Sequence, residues 1–264
     1  MRNTIRQFTN DLTIYGPYCF EEARARLRAE VSTTRLGWLW WILEPFFQML
    51  IYILIFGYIF RAATQYYPAH IMIGLTAWRF FSGSLTSSAK LIRANKSLLG
   101  RTYIPRFALI LTQMLCNGFK MLVSFGIVFL LLLWYQIPPD FYSLQIVPLF
   151  LLLWMITFGL STIAAHIGVF LDDVNDLLPI IMRLWMYFTG IFYSIQDKVP
   201  GTMGFWLLRL NPLAFLLDGL RQALLFHKTV MWAWYFGWLG ISWILCLEGL
   251  KLLYHYGARY LKVV

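Results

Sequence analysis

Apolar positions in this chain come in long blocks separated by short polar stretches. Six blocks, at 39–60, 69–89, 107–135, 144–170, 177–195 and 232–254, are each about as long as the roughly 20 residues a helix needs to cross a bilayer. Ahead of the first block, residues 18–31 place Phe20, Ala23, Leu27 and Val31 on one side at helical spacing, with Glu21, Arg24 and Arg28 largely elsewhere. That pattern predicts an amphipathic helix in the headgroup layer, set off from the preceding residues by Gly16-Pro17. A plain topogenic anchor is the alternative. Between the last two blocks, 201–210 and 215–225 are apolar but too short to cross, and Asn211-Pro212 divides them. They predict two short helices that dip into a leaflet and return, with one long surface loop as the alternative.

The polar stretches orient the blocks. Lys90 to Arg106 carries Lys90, Arg93, Lys96, Arg101 and Arg106 and no acid. A basic loop between spans belongs in the cytoplasm. With that placement, fourteen of the twenty-two Lys and Arg residues fall inside, five outside and three within spans. The expected fold is an all-α polytopic membrane protein. It has six transmembrane helices, both termini cytoplasmic, an N-terminal amphipathic helix and a re-entrant helical hairpin before the last span.

Composition narrows the class. Mean hydropathy is +0.65 and only 13% of residues are charged, about half the fraction of a soluble domain. A net charge of +10 would suit nucleic acid if it lay along one soluble face. Here the bases sit between apolar blocks, so no nucleic-acid partner is expected. Cys19, Cys116 and Cys246 have no disulfide or metal spacing. No cleavable signal peptide is expected, because the first apolar block is too late and too long. There is no phosphate-binding loop, no HExxH and no serine elbow. Asp172, Asp173 and Asp176 fall in a tight inner turn, where they read as turn formers or as partners for cytoplasmic arginines.

Polar residues inside the blocks need a reason. Glu44, with Pro45 and Gln48, interrupts the start of the first block. It either sits at headgroup depth or pairs with an arginine of the preceding helix. Arg79, Lys120 and Arg183 lie within later blocks, and Ser82, Ser84, Ser87 and Ser88 share a block with Arg79. Such cations either line a water-filled path for an anionic passenger or pair structurally. An ion-coupled carrier would show an internal repeat and midplane acids, neither of which is found. A membrane glycosyl enzyme would need paired carboxylates at a reaction centre.

Four stretches carry a family resemblance: TRLGWLWWILEP at 34–45, NKSLLGRTYIPR at 95–106, DDVNDLLPI at 172–180 and LNPLAFLLDGLRQALL at 210–225. Together they resemble the membrane subunit of ABC-2 type polysaccharide exporters, as in capsule, O-antigen and teichoic acid export. The likeness covers nearly the whole chain, so residues 1–264 are expected to form a single transmembrane domain. The resemblance implies a non-enzymatic subunit of the bacterial inner membrane that exports a lipid-linked, anionic or neutral glycan. It implies no cofactor in this chain, with ATP and Mg held by a separate ATPase. Partners would be a second copy of the chain, two ATPase subunits and, as further candidates, periplasmic export proteins. A lipid or drug exporter of the same fold is the nearer alternative function, and an ion-coupled carrier the more distant one. By the same resemblance, 89–99 is a coupling helix for the ATPase, with Arg93, Asn95, Lys96, Arg101 and Arg106 as candidate contacts. Phe20, Arg24, Leu27, Arg28 and Glu44 are candidates for a cytoplasmic gate. Arg79, Ser82, Lys120, Arg183, Trp185 and Phe188 are candidates for the conduit wall. Asn211, Pro212, Leu216 and Arg221 belong to the periplasmic hairpin. One departure stands out: the family commonly has a base where Asp172 stands.

Overall fold

The computed structural model describes residues 2–32, 35–60, 64–101, 103–199, 201–257 and 259–260. Arg61, of the first outer loop, and Lys262, of the C-terminal tail, lie outside the described residues, as do Thr34 and Thr102 of the family stretches. All regular structure described is helical. The chain runs α1 (Arg2–Ser32), α2 (Trp40–Tyr52), α3 (Tyr67–Ala94), α4 (Lys96–Arg101), α5 (Arg106–Trp134) and α6 (Ile146–Phe170). It continues through α7 (Val174–Phe188), α8 (Ile195–Lys198), α9 (Gly201–Leu210), α10 (Pro212–Leu225) and α11 (Trp232–His255). A 3₁₀ turn leads into α2, and α2 widens into π-helical turns over Ile53–Ile59.

Four of the described helical stretches are long and apolar enough to cross a bilayer: Gly37–Ile59, Arg106–Trp134, Phe141–Phe170 and Trp232–His255. The expectation of six is corrected on two elements. α3 has the length, at 28 residues, but His70, Arg79, Lys90, Arg93 and a run of hydroxyls make it too polar. It is also the central helix, packed by α2, α5, α6, α7 and α10 and buried at nineteen positions. A helix covered by protein on most sides has no need of a lipid-compatible surface. α7 is too short. Its 15 residues span about 22 Å at 1.5 Å per residue, against a hydrocarbon core of about 30 Å. The turn at Asp172-Asp173 delays its start, and Gly190, at φ +68°, follows its end. The placement of both termini in the cytoplasm rested on the count of six and is not supported. The re-entrant hairpin is not supported either: α9 and α10 are helices, but α10 is packed within protein, against α3, α6 and α9.

The N-terminal helix also differs from expectation. α1 runs unbroken through Gly16 and Pro17, although proline removes one backbone donor from a helix. Packing holds both sides of the proline in line. On one side Phe8 meets Phe107 edge-on at 5.0 Å and Asp11 accepts a hydrogen bond from the Tyr254 hydroxyl at 2.8 Å. On the other, Cys19 and Ala23 are buried against α5. The buried stripe therefore follows Cys19 and Ala23, while Phe20 is exposed.

Four hydroxyls of α3 satisfy themselves locally. Thr76 donates to Met72 O, Ser82 to Trp78 O, Thr86 to Ser82 O and Ser87 to Gly83 O, all within one turn. Small residues then let neighbouring backbones close in. A Cβ at Gly168 of α6 would run into Ala89 O of α3, and one at Gly249 of α11 would overlap Thr162 Oγ1 of α6.

Candidate functional site

A polar cavity of about 370 Å³ opens among α1, α2, α3 and α5. Glu44 of α2 and Arg79 of α3 form an ion pair there at 2.7 Å, and Arg79 also donates to Gln48 Oε1 at 3.3 Å. Lys120 of α5 pairs with Glu30 of α1 at 2.6 Å. Between the pairs, Asn117 donates to Ser84 Oγ at 3.0 Å, and Ser82 lines the wall. Glu44 therefore finds its partner on α3, not among the arginines of α1. The two pairs tie four helices together and balance in charge, which makes their partial burial tolerable.

Beside this cavity runs an apolar groove of about 860 Å³ between α1 and α5. Phe20, Leu27, Trp41, Phe119 and Trp154 line it, with Arg24 and Arg28 also bordering it. The structure thus puts Phe20, Arg24, Leu27 and Arg28 on the groove and Glu44 on the polar cavity next to it. Of the remaining expected conduit residues, Arg183 is exposed on α7. Trp185 and Phe188 lie elsewhere, at a shallow apolar hollow shared by α7 and α9. Trp185 Nε1 donates to Asn211 Oδ1 at 3.2 Å.

The expected coupling residues divide sharply. Arg93 is committed to the body of the protein, pairing with Asp172 and donating to Val169 O at 2.6 Å. Arg106 donates to Gly257 O at 2.8 Å, and Asn95 folds back on Leu91 O at 2.8 Å. Leu99 and Ile104 are buried and anchor the segment. Lys96 and Arg101 remain exposed on α4.

At the far end of the molecule, the expected hairpin residues act as joints. Asn211 Oδ1 accepts from Leu213 N at 3.1 Å as an N-cap of α10, while Asn211 Nδ2 donates to Phe188 O at 3.1 Å. Pro212 opens α10, where a missing backbone donor costs nothing. Leu216 is core. Arg221 is buried and donates to His70 O at 3.2 and 3.1 Å, Gly190 O at 2.9 Å and Ile191 O at 3.1 Å. Burial lowers its pKa to about 10, which leaves it charged at neutral pH. Burial, and then the charge of Arg221, push the His70 pKa down to about 2.

Two residues escaped the sequence reading. Glu30 sits in a helix expected to lie on the surface, so its pairing with Lys120 was not anticipated. Arg209 counted only as a loop base; its spacing of four from Phe205 was the available signal, and its guanidinium lies 3.2 Å from the Phe205 ring centroid.

Comparison with known proteins adds the family. The chain is 27% identical over 240 residues to an O-antigen export system permease protein of Klebsiella pneumoniae, covering 90% of this chain and 91% of the relative. A protein of the same description from Myxococcus xanthus is 26% identical, with 84% and 85% covered. A polysialic acid transport protein of Escherichia coli is 26% identical, with 75% and 78% covered. Residues 27–225 match the ABC-2 type transporter model. With its apolar spans and this match over most of its length, the chain belongs to the ABC-2 type transporter family, as a non-catalytic, multi-pass transport subunit of the bacterial inner membrane.

Proposed function

We propose that this chain is the membrane subunit of an exporter that moves a lipid-linked polysaccharide, of the capsule or O-antigen kind, across the inner membrane. The observation that carries the reading is the ion-paired polar cavity set among apolar helices and flanked by an apolar groove. A glycan needs polar partners to cross hydrocarbon, because each unsatisfied polar group costs several kcal/mol. A lipid anchor needs an apolar track beside them. The groove fits the anchor, with Arg24 and Arg28 near enough to meet its phosphate. Arg79, Ser82 and Lys120 fit the sugar side, their carboxylate partners giving way as the chain passes. The names of the relatives point the same way. A second copy of the chain completes the path, and two ATPase subunits, carrying ATP and Mg, drive it.

Reconstitution tests the reading. Vesicles holding this chain and its ATPase should move a lipid-linked glycan into the lumen on ATP addition. A pair of charge reversals at Glu44 and Arg79 that keeps the ion pair should retain more of that transport than either reversal alone. Transport of lipid without glycan, and none with it, would replace this reading with that of a lipid exporter.

A further inference from the structure

Arg209 is buried, at 8% exposed, yet pairs with no carboxylate among the described side chains. Of its five N–H donors, Nη1 reaches Phe205 O at 3.3 Å and Nη2 meets only the soft Sδ of Met231 at 3.2 Å. Nε has no partner. Arg221, on the next helix, shows the contrast, with its charge spread over three backbone carbonyls. A buried guanidinium without a counter-charge is costly. The Phe205 ring against its face offsets part of that cost.

Arg209 lines an open-sided cavity of about 510 Å³ bordered by α8, α9, α10 and the segment 228–231. That volume falls in the usual range for small-molecule sites, about 300–1,000 Å³. Gln222 lines the same space, and its Oε1 is also buried without a partner. Gln196 and Asp218 complete the polar wall, hydrogen-bonded to each other at 3.2 Å, and Lys228 borders it. The unmet needs are therefore one negative charge at Arg209 and one donor at Gln222. We propose that this cavity binds one acidic sugar unit of the exported glycan, its carboxylate on Arg209 and its hydroxyls on Gln222 and Asp218. Asp218 favours a ligand that carries hydroxyls beside its carboxylate, because a hydroxyl donates to it while a bare oxyanion is only repelled. The site rests on the export reading above and deepens it, giving the exporter a hand-hold selective for acidic glycans. It lies at the N-terminal end of α6, where Gln145 accepts from Val230 N at 2.8 Å, away from the basic segment at the other end of that helix.

Full-length chain in lipid nanodiscs, titrated with glucuronate, glucose and inorganic phosphate, tests the site. Glucuronate should bind saturably, glucose about tenfold or more weaker, and phosphate more weakly than glucuronate. Arg209→Gln should weaken glucuronate about tenfold or more. Gln222→Met guards against a folding artefact. It removes an unpartnered acceptor, so it should melt no lower than the parent while also losing affinity. Equal affinity for glucuronate and glucose, no saturable glucuronate binding, or unchanged affinity in both variants would overturn the inference. Glycan export by the reconstituted transporter is measured alongside. Export without glucuronate binding overturns this inference alone, and absent export overturns the reading beneath it.

Discussion

Arg221 and His70 show how one buried charge organises its surroundings. The guanidinium ties the start of α3 to the turn after α7 through His70 O, Gly190 O and Ile191 O. Gly74 leaves room for it, since a Cβ there would sit 2.7 Å from Nη2. The same charge, added to burial, keeps the His70 ring neutral, with a pKa near 2. In the unfolded chain that ring titrates near 6.5. Between those values the unfolded chain binds a proton that the folded chain does not. Stability should therefore fall as pH drops below about 6.5, by about 1.4 kcal/mol per pH unit from this residue. Above pH 6.5 His70 contributes no slope. Thermal melts in detergent from neutral pH down to about pH 5 should show His70→Phe losing less stability than the parent. Parallel acid slopes in the two proteins would mean that His70 is protonated in the folded state.

At the scale of elements, close helix contact depends on a few glycines. α6 and α11 pack along each other, and a Cβ at Gly249 would overlap Thr162 Oγ1. Overpacking of this kind costs about 1–3 kcal/mol. Gly237 and Gly240 lie on the same helix with nothing within 4 Å of an added Cβ. Gly249→Ala should therefore lower the melting temperature, while Gly237→Ala and Gly240→Ala should be neutral or gain up to about 1 kcal/mol of helix propensity. Equal responses at all three would remove close packing as the cause. The four apolar helices were legible because lipid demands an unbroken apolar surface, and so each left a block in the sequence. α3 and α7 were misread for the complementary reason. Inside protein, polarity and length are set by neighbours, and those are not written in the local pattern. Pro17 misled in the same way, because the contacts that hold α1 straight come from α5 and α11, over 80 residues away.

For the whole molecule, legibility of the site followed charge. Arg79 and Lys120 were visible as cations within apolar blocks, while their partners Glu44 and Glu30 became known only when four helices met. The same limit applied to the basic segment, whose five charges looked equivalent in sequence. Arg93 is a structural ligand of Asp172 and Val169 O, and Arg106 of Gly257 O. Lys96 and Arg101 stand exposed on α4, which Leu99 anchors to the body. If an ATPase docks on this segment, the exposed pair should carry the docking charge and the half-buried pair the fold. Lys96→Glu with Arg101→Glu should weaken copurification of the ATPase about tenfold, more so at low salt. Arg93→Glu should instead place an acid beside Asp172 and lower the melting temperature of the chain by itself. Because these charges also bear on membrane orientation, cysteine labelling of the loop on either side of the membrane must first show the parental pattern. A double reversal that keeps both orientation and full ATPase recovery would move the docking surface away from α4.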